Sequence, residues 1–148
     1  MRNLLILAAT AAFLMSGSLV AGEKTMMHCF AYTTIETASQ ADWDAFYKAS
    51  DALPKKMPFI KRVWTGKLRG PLAIFSVDAA ASKKLRAGEK DVEAKANFTA
   101  RKAGMCIEFE GGPEVLKTYA AHPYHAEWMA AYEKVRVAGT TTYDILGQ

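Results

Sequence analysis

Cysteine is scarce in this chain. Only Cys29 and Cys106 occur in 148 residues, and they do not form a Cys-x-x-Cys pattern, which excludes a thiol-disulfide exchange centre. Charge of one sign is scarce too. With 19 Lys and Arg against 15 Asp and Glu the formal net charge is +4, too small an excess for a nucleic-acid footprint. Histidine is limited to His28, His122 and His125. No uninterrupted apolar run reaches the ~20 residues of a membrane-spanning helix, because the run from Leu4 to Met15 gives way to Ser16, Gly17 and Ser18.

That run instead has the flanks of an export signal. Arg2 supplies a positive start, residues 4–15 an apolar middle, and residues 16–22 a small, weakly polar end. Residues 1–22 are therefore expected to be a signal peptide, cleaved after Ala21 or Gly22. Residues 23–148 are then expected to form one domain in the periplasm or outside the cell, with no membrane association after cleavage. Removal of Arg2 leaves 18 basic residues against 15 acidic, a mildly basic, solvated surface. An oxidising compartment permits a disulfide. With 51% hydrophobic and 23% charged residues, the chain can bury a single core.

Within the mature chain, residues 26–34 are rich in aromatic and β-branched side chains and predict a strand. Alternation puts His28, Phe30 and Tyr32 on one face and Cys29 and Ala31 on the other. Ser39 followed by Asp42 marks a helix start, and Trp43, Phe46, Tyr47, Ser50 and Leu53 make its apolar stripe, which is expected to stop before Pro54. A second strand is expected over residues 59–67. Residues 68–103 read as an insertion: a short extra strand over 72–77, then an exposed, alanine-rich and charged helical segment over 79–102. Residues 105–110 alternate as a third strand. Gly112-Pro113-Glu114 opens a helix carrying Val115, Leu116 and Tyr119. His122-Pro123 then kinks the chain, a further helix carries Tyr124, Trp128, Met129, Tyr132 and Val135 until Gly139, and residues 140–146 close as a strand. The order gives an α+β, ferredoxin-like βαββαβ plan.

Three stretches carry a resemblance to the stress-responsive dimeric α/β-barrel (Dabb) family. They are Met27-His28-Cys29-Phe30, the segment from Leu53-Pro54 to Trp64-Thr65-Gly66-Lys67, and Tyr119-Ala-Ala-His122-Pro123-Tyr124-His125, with the closing strand around Tyr143-Asp144 in support. The resemblance spans about residues 26–67 and 104–146. It implies helices on one face of an antiparallel sheet and a homodimer that closes a barrel through the open faces, here bearing Cys29, Ala31 and Cys106. In that topology the first and third strands are neighbours, so the two cysteines lie near each other, although a disulfide across adjacent strands is geometrically awkward.

The resemblance also implies a site. A plant member of the family cyclises a linear polyketide without metal or cofactor, and its catalytic histidine, assisting tyrosine and first-strand histidine match His125, Tyr119 and His28. A neutral imidazole can take a proton α to a carbonyl, and a phenol can donate a hydrogen bond to the enolate oxygen. Phe30, Tyr32, Trp43, Tyr47, Met105, Ile107, His122 and Trp128 are expected to line a pocket between sheet and helices for a small apolar or aromatic ligand.

Three functions follow: an exported binder of such a ligand, a cofactor-independent cyclase or lyase using His125 and Tyr119, and a periplasmic copper protein built on Met26-Met27-His28-Cys29, Met105-Cys106 and His122-x-x-His125. Each residue also has a plain role. His125 can cap a helix, His122 can fix the kink, Tyr119 fits a core stripe, and aromatic residues fill cores more often than they line pockets.

Overall fold

The apolar and aromatic segment Thr25–Tyr32 forms a strand, β1, whose second half from Cys29 to Tyr32 is buried on both faces, and the computed structural model, which describes residues 24–147, places it in the middle of a sheet. The expected export signal lies outside the described residues. The sheet has four antiparallel strands in the order β2-β3-β1-β4, with β2 at Ile60–Val77, β3 at Ala96–Glu110 and β4 at Thr141–Leu146. Helices α1 (Gln40–Lys56), α3 (Val115–Ala121) and α4 (Pro123–Tyr132) accompany it in the βαββαβ order. Among the described residues no helix is long and apolar enough to cross a membrane.

Helix α1 begins where the sequence says it should. The Ser39 Oγ accepts from the Asp42 N–H, and the Asp42 carboxylate accepts from the Ser39 N–H, so two otherwise unpaired donors are satisfied reciprocally. Its end differs from expectation. The helix runs through Pro54 to Lys56, and the Met57 N–H still bonds to the Leu53 carbonyl at 2.9 Å. A proline in the last turn removes a single helix bond, while Leu53 and Met57, both fully buried, hold that turn against the sheet.

Helix α4 docks on α1 through a polar contact inside the core. The Trp128 indole N–H donates to the Ser50 hydroxyl at 3.0 Å, which satisfies the one buried polar side chain of α1. Phe46, Trp128 and Tyr132 stack beside it. The break between α3 and α4 falls at His122, whose extended backbone (ψ 133°) is what a following proline imposes. Its Nδ1 accepts from the Tyr124 N–H at 3.2 Å, capping α4.

The segment 68–103 is a correction to the sequence reading. Strand β2 continues to Val77 and β3 begins at Ala96, so most of the segment is a β-hairpin arm, with Leu72 opposite Arg101 and Val77 opposite Ala96. Only α2, Ala79–Arg86, is helical, capped by the Asp78 side chain. The ladder decides this: once residues 72–77 are extended, residues 96–101 gain a row of backbone partners that outweighs their weak helix preference. A register shift between Lys67 and Leu72 lets Leu68 fold against β3 at Gly104, where a Cβ would meet the Leu68 side chain at 3.0 Å.

The face without helices carries one continuous row. Trp64, Cys106, Cys29 and Tyr143 are register partners across all four strands. Cys29 and Cys106 form a disulfide, with Cα atoms 4.1 Å apart, and so resolve the cross-strand pairing that sequence left open. Trp64, Tyr143 and Ile145 are 44%, 49% and 55% exposed on this face.

Candidate active site

On the helix-covered face β1 presents His28, whose register partner on β4 is Asp144. The Nδ1–H of His28 donates to Asp144 Oδ1 at 2.6 Å. A carboxylate can only accept, so Nδ1 carries a proton, and in the neutral ring Nε2 is the nitrogen with the lone pair. Phe30, Phe109 and Tyr119 surround the ring, with centroids 5.7, 6.3 and 6.3 Å away.

Tyr119 comes from the last turns of α3. Its hydroxyl is buried and has no hydrogen-bond partner among the described residues. Burial pushes its pKa well above the ordinary value, so the phenol stays a donor at neutral pH. His125, in the first turn of α4, meets Tyr119 edge-on at 4.5 Å. Burial, with a smaller contribution from His28, pushes the His125 pKa below the usual histidine value, and the ring is neutral at physiological pH. The three side chains line one cleft of 160 Å³ together with Phe30, Trp128 and Arg136.

The other expected lining residues are divided. Met105 and Ile107 lie on β3, 2% and 0% exposed, inside the core. Tyr32, Trp43 and Tyr47 border a separate hollow of 370 Å³, next to Gln40 and Lys67. His122 caps α4 and packs edge-on against Phe59 at 6.4 Å, and it is not among the residues lining the cleft. Helix α1 covers a different stretch of sheet from α3 and α4, and this separates the two aromatic sets. Asp144 and Arg136 were missing from the expected site. Period-two alternation in β4 puts Thr142 and Asp144 on one face, and Trp128, Tyr132 and Arg136 follow a four-residue spacing; either signal could have found them.

The copper set is not assembled. Both cysteine sulfurs are in the disulfide, His28 and Cys29 face opposite sides of β1, and among the described residues no group of three His, Cys, Asp or Glu is placed to hold a metal.

Neither a family model nor a characterised protein sequence matches the chain. Solved structures do. A hydroxynitrile lyase from Passiflora edulis is similar at 11% identity, over 84% of this chain and 94% of its own, with a TM-score of 0.53. A hypothetical protein of Arabidopsis thaliana is similar at 15% identity, over 83% and 88%, with a TM-score of 0.52. A Dabb family protein from Mesorhizobium loti aligns at 12% identity over 85% and 99%, with a TM-score of 0.41. At such identities the likeness shows fold alone, and the fold of this chain is an α+β, ferredoxin-like arrangement.

Proposed function

We propose that the cleft binds a small carbonyl compound with an aromatic or apolar body and removes a proton from the carbon beside the carbonyl, without a cofactor. The His28–Asp144 pair facing the unpartnered Tyr119 hydroxyl is the observation that supports it. His28 Nε2 takes the proton, and the Asp144 carboxylate stabilises the imidazolium that forms. Tyr119 donates to the oxygen on which enolate charge develops. His125, kept neutral by burial, offers a second uncharged imidazole to the same space. The main base is thus His28 rather than the His125 suggested by family resemblance, because only His28 has a carboxylate behind it.

The cleft's size limits the ligand. An apolar cavity of about 150 Å³ holds a benzene molecule, so the open cleft of 160 Å³ has room for one ring, with any longer chain left at the mouth. A linear polyketide would not fit inside.

Deuterium incorporation into phenylacetone in D2O, followed by proton NMR, tests the function. We expect α-exchange at least tenfold faster than with free imidazole at the protein's histidine concentration. A rate equal to that control would refute it.

The disulfide and the apolar N-terminal run support work outside the reducing cytosol. The row Trp64, Cys106, Cys29, Tyr143 supports pairing of two copies through their open sheet faces, since half-exposed aromatic residues on a flat sheet gain most from covering each other. Sedimentation equilibrium at ~10 μM should give twice the chain mass, within the usual affinity range of symmetric dimers, and Trp64→Lys should give the chain mass. A wild-type monomer at that concentration would contradict the pairing.

A further inference from the structure

The cleft contains one cation that the proton-transfer chemistry does not use. Arg136 lines it with a side chain only 15% exposed. Its position is fixed from both ends. Around it the backbone is pinned to the segment after β1, by the Ile35 N–H to the Val135 carbonyl at 3.0 Å and the Val137 N–H to the Thr33 carbonyl at 2.8 Å. The guanidinium lies over the Tyr132 ring at 4.7 Å, and that ring stacks on Trp128 at 5.0 Å.

The guanidinium has five N–H donors, and its contacts are few and long. Nη2 is 3.7 Å from a carboxylate oxygen of Glu133, a side chain that is 63% exposed, and Nη1 reaches the Thr140 hydroxyl at 3.5 Å. Nε is buried with no hydrogen-bond partner among the described residues. Leaving such a donor unmade is costly. A planar guanidinium held on an aromatic surface, with only long contacts at its two Nη groups, has donors to spare for a carboxylate.

We infer that Arg136 anchors a carboxylate, so that the cleft takes a ring-sized aromatic acid, with the anion on Arg136 and the apolar body against Phe30 and Trp128. This rests on the cleft being the binding site and specifies its ligand class. Glu133 does not compete effectively, because its contact is too long for a direct hydrogen bond and it is mostly in water. Asp144, the other carboxylate beside the cleft, is engaged by His28.

Benzoate and benzamide, which share shape and differ in charge, separate the possibilities when titrated into the wild-type protein with NMR detection of the Tyr119 and His125 side-chain signals. Benzoate should bind at least tenfold more tightly than benzamide. In Arg136→Gln that preference should vanish, and Arg136→Lys should keep only part of it, since a lysine lacks the fork. Equal binding of the two probes to wild type, with shifts at Tyr119 and His125, would overturn the carboxylate anchor and leave the cleft as the binding site. If neither probe perturbs these signals, both the anchor and the cleft assignment fail. Because the wild-type comparison needs no substitution, a poorly folded variant cannot obscure the result.

Discussion

Replacing Cys29 and Cys106 together by alanine should lower the unfolding free energy by about 4 kcal/mol, the chain-entropy value for a link closing a loop of this size. The two residues are 77 apart in sequence, and the loop they close contains α1, β2 and α2. Cross-linking it removes a large set of unfolded conformations. For a domain of this length the same loss lowers Tm by roughly 15 °C, given about 2 cal/mol/K of unfolding entropy per residue. The effect should act through the whole fold, because β1 and β3 are the two central strands and each carries residues of the main core. Urea unfolding of the oxidised protein and of the double alanine variant checks this. A difference under about 1 kcal/mol would mean that the unfolded chain already holds these strands together, contrary to the entropy argument.

Local features of this fold were legible, and non-local ones were not. The Ser39–Asp42 capping box and the His122-Pro123 break depend on residues within a few positions of each other, and both stand where sequence puts them. Alternation also assigns His28 and Cys29 to opposite faces without any knowledge of partners. The arm over 68–103 departs from expectation because Ala96–Arg101 closes a longer stretch, residues 79–102, that is rich in alanine and charge, and only pairing with Leu72–Val77 makes it a strand. Likewise the disulfide depends on register. A one-residue slip between β1 and β3 would turn Cys106 to the other face.

The site divides in the same way. His28, Tyr119 and His125 come from three separate elements, and although residue types alone mark Tyr119 and His125 as a cluster of titratable groups, their roles and their link to His28 came only through a family resemblance. The pocket expected to hold Trp43 and Trp128 together is two hollows, because helical stripes report which face is buried and not which stretch of sheet the helix covers. Asp144 escaped notice for the opposite reason. It is an ordinary acidic residue on an edge strand until β4 is laid beside β1 with Asp144 opposite His28.

Asp144→Asn should reduce α-proton exchange by about 10²-fold to 10⁴-fold, the range typical of general-base catalysis. Asparagine keeps the shape of aspartate and loses its charge. Its amide can also donate to Nδ1, which would move the imidazole proton to Nε2 and leave no lone pair facing the substrate. The imidazolium formed by proton abstraction would lose its counter-charge as well. Stability should change little, since the Asp144 side chain is 36% exposed and the pair is open to solvent on one side. Benzoate affinity should be retained too, which separates lost chemistry from lost binding. His28→Ala should fall to the same low rate, and adding Asp144→Asn to it should cause no further loss, because two residues that act as one unit are not additive. If Asp144→Asn keeps exchange within threefold of wild type, the carboxylate does not orient the base, and proton removal would pass to the neutral His125 beside Tyr119.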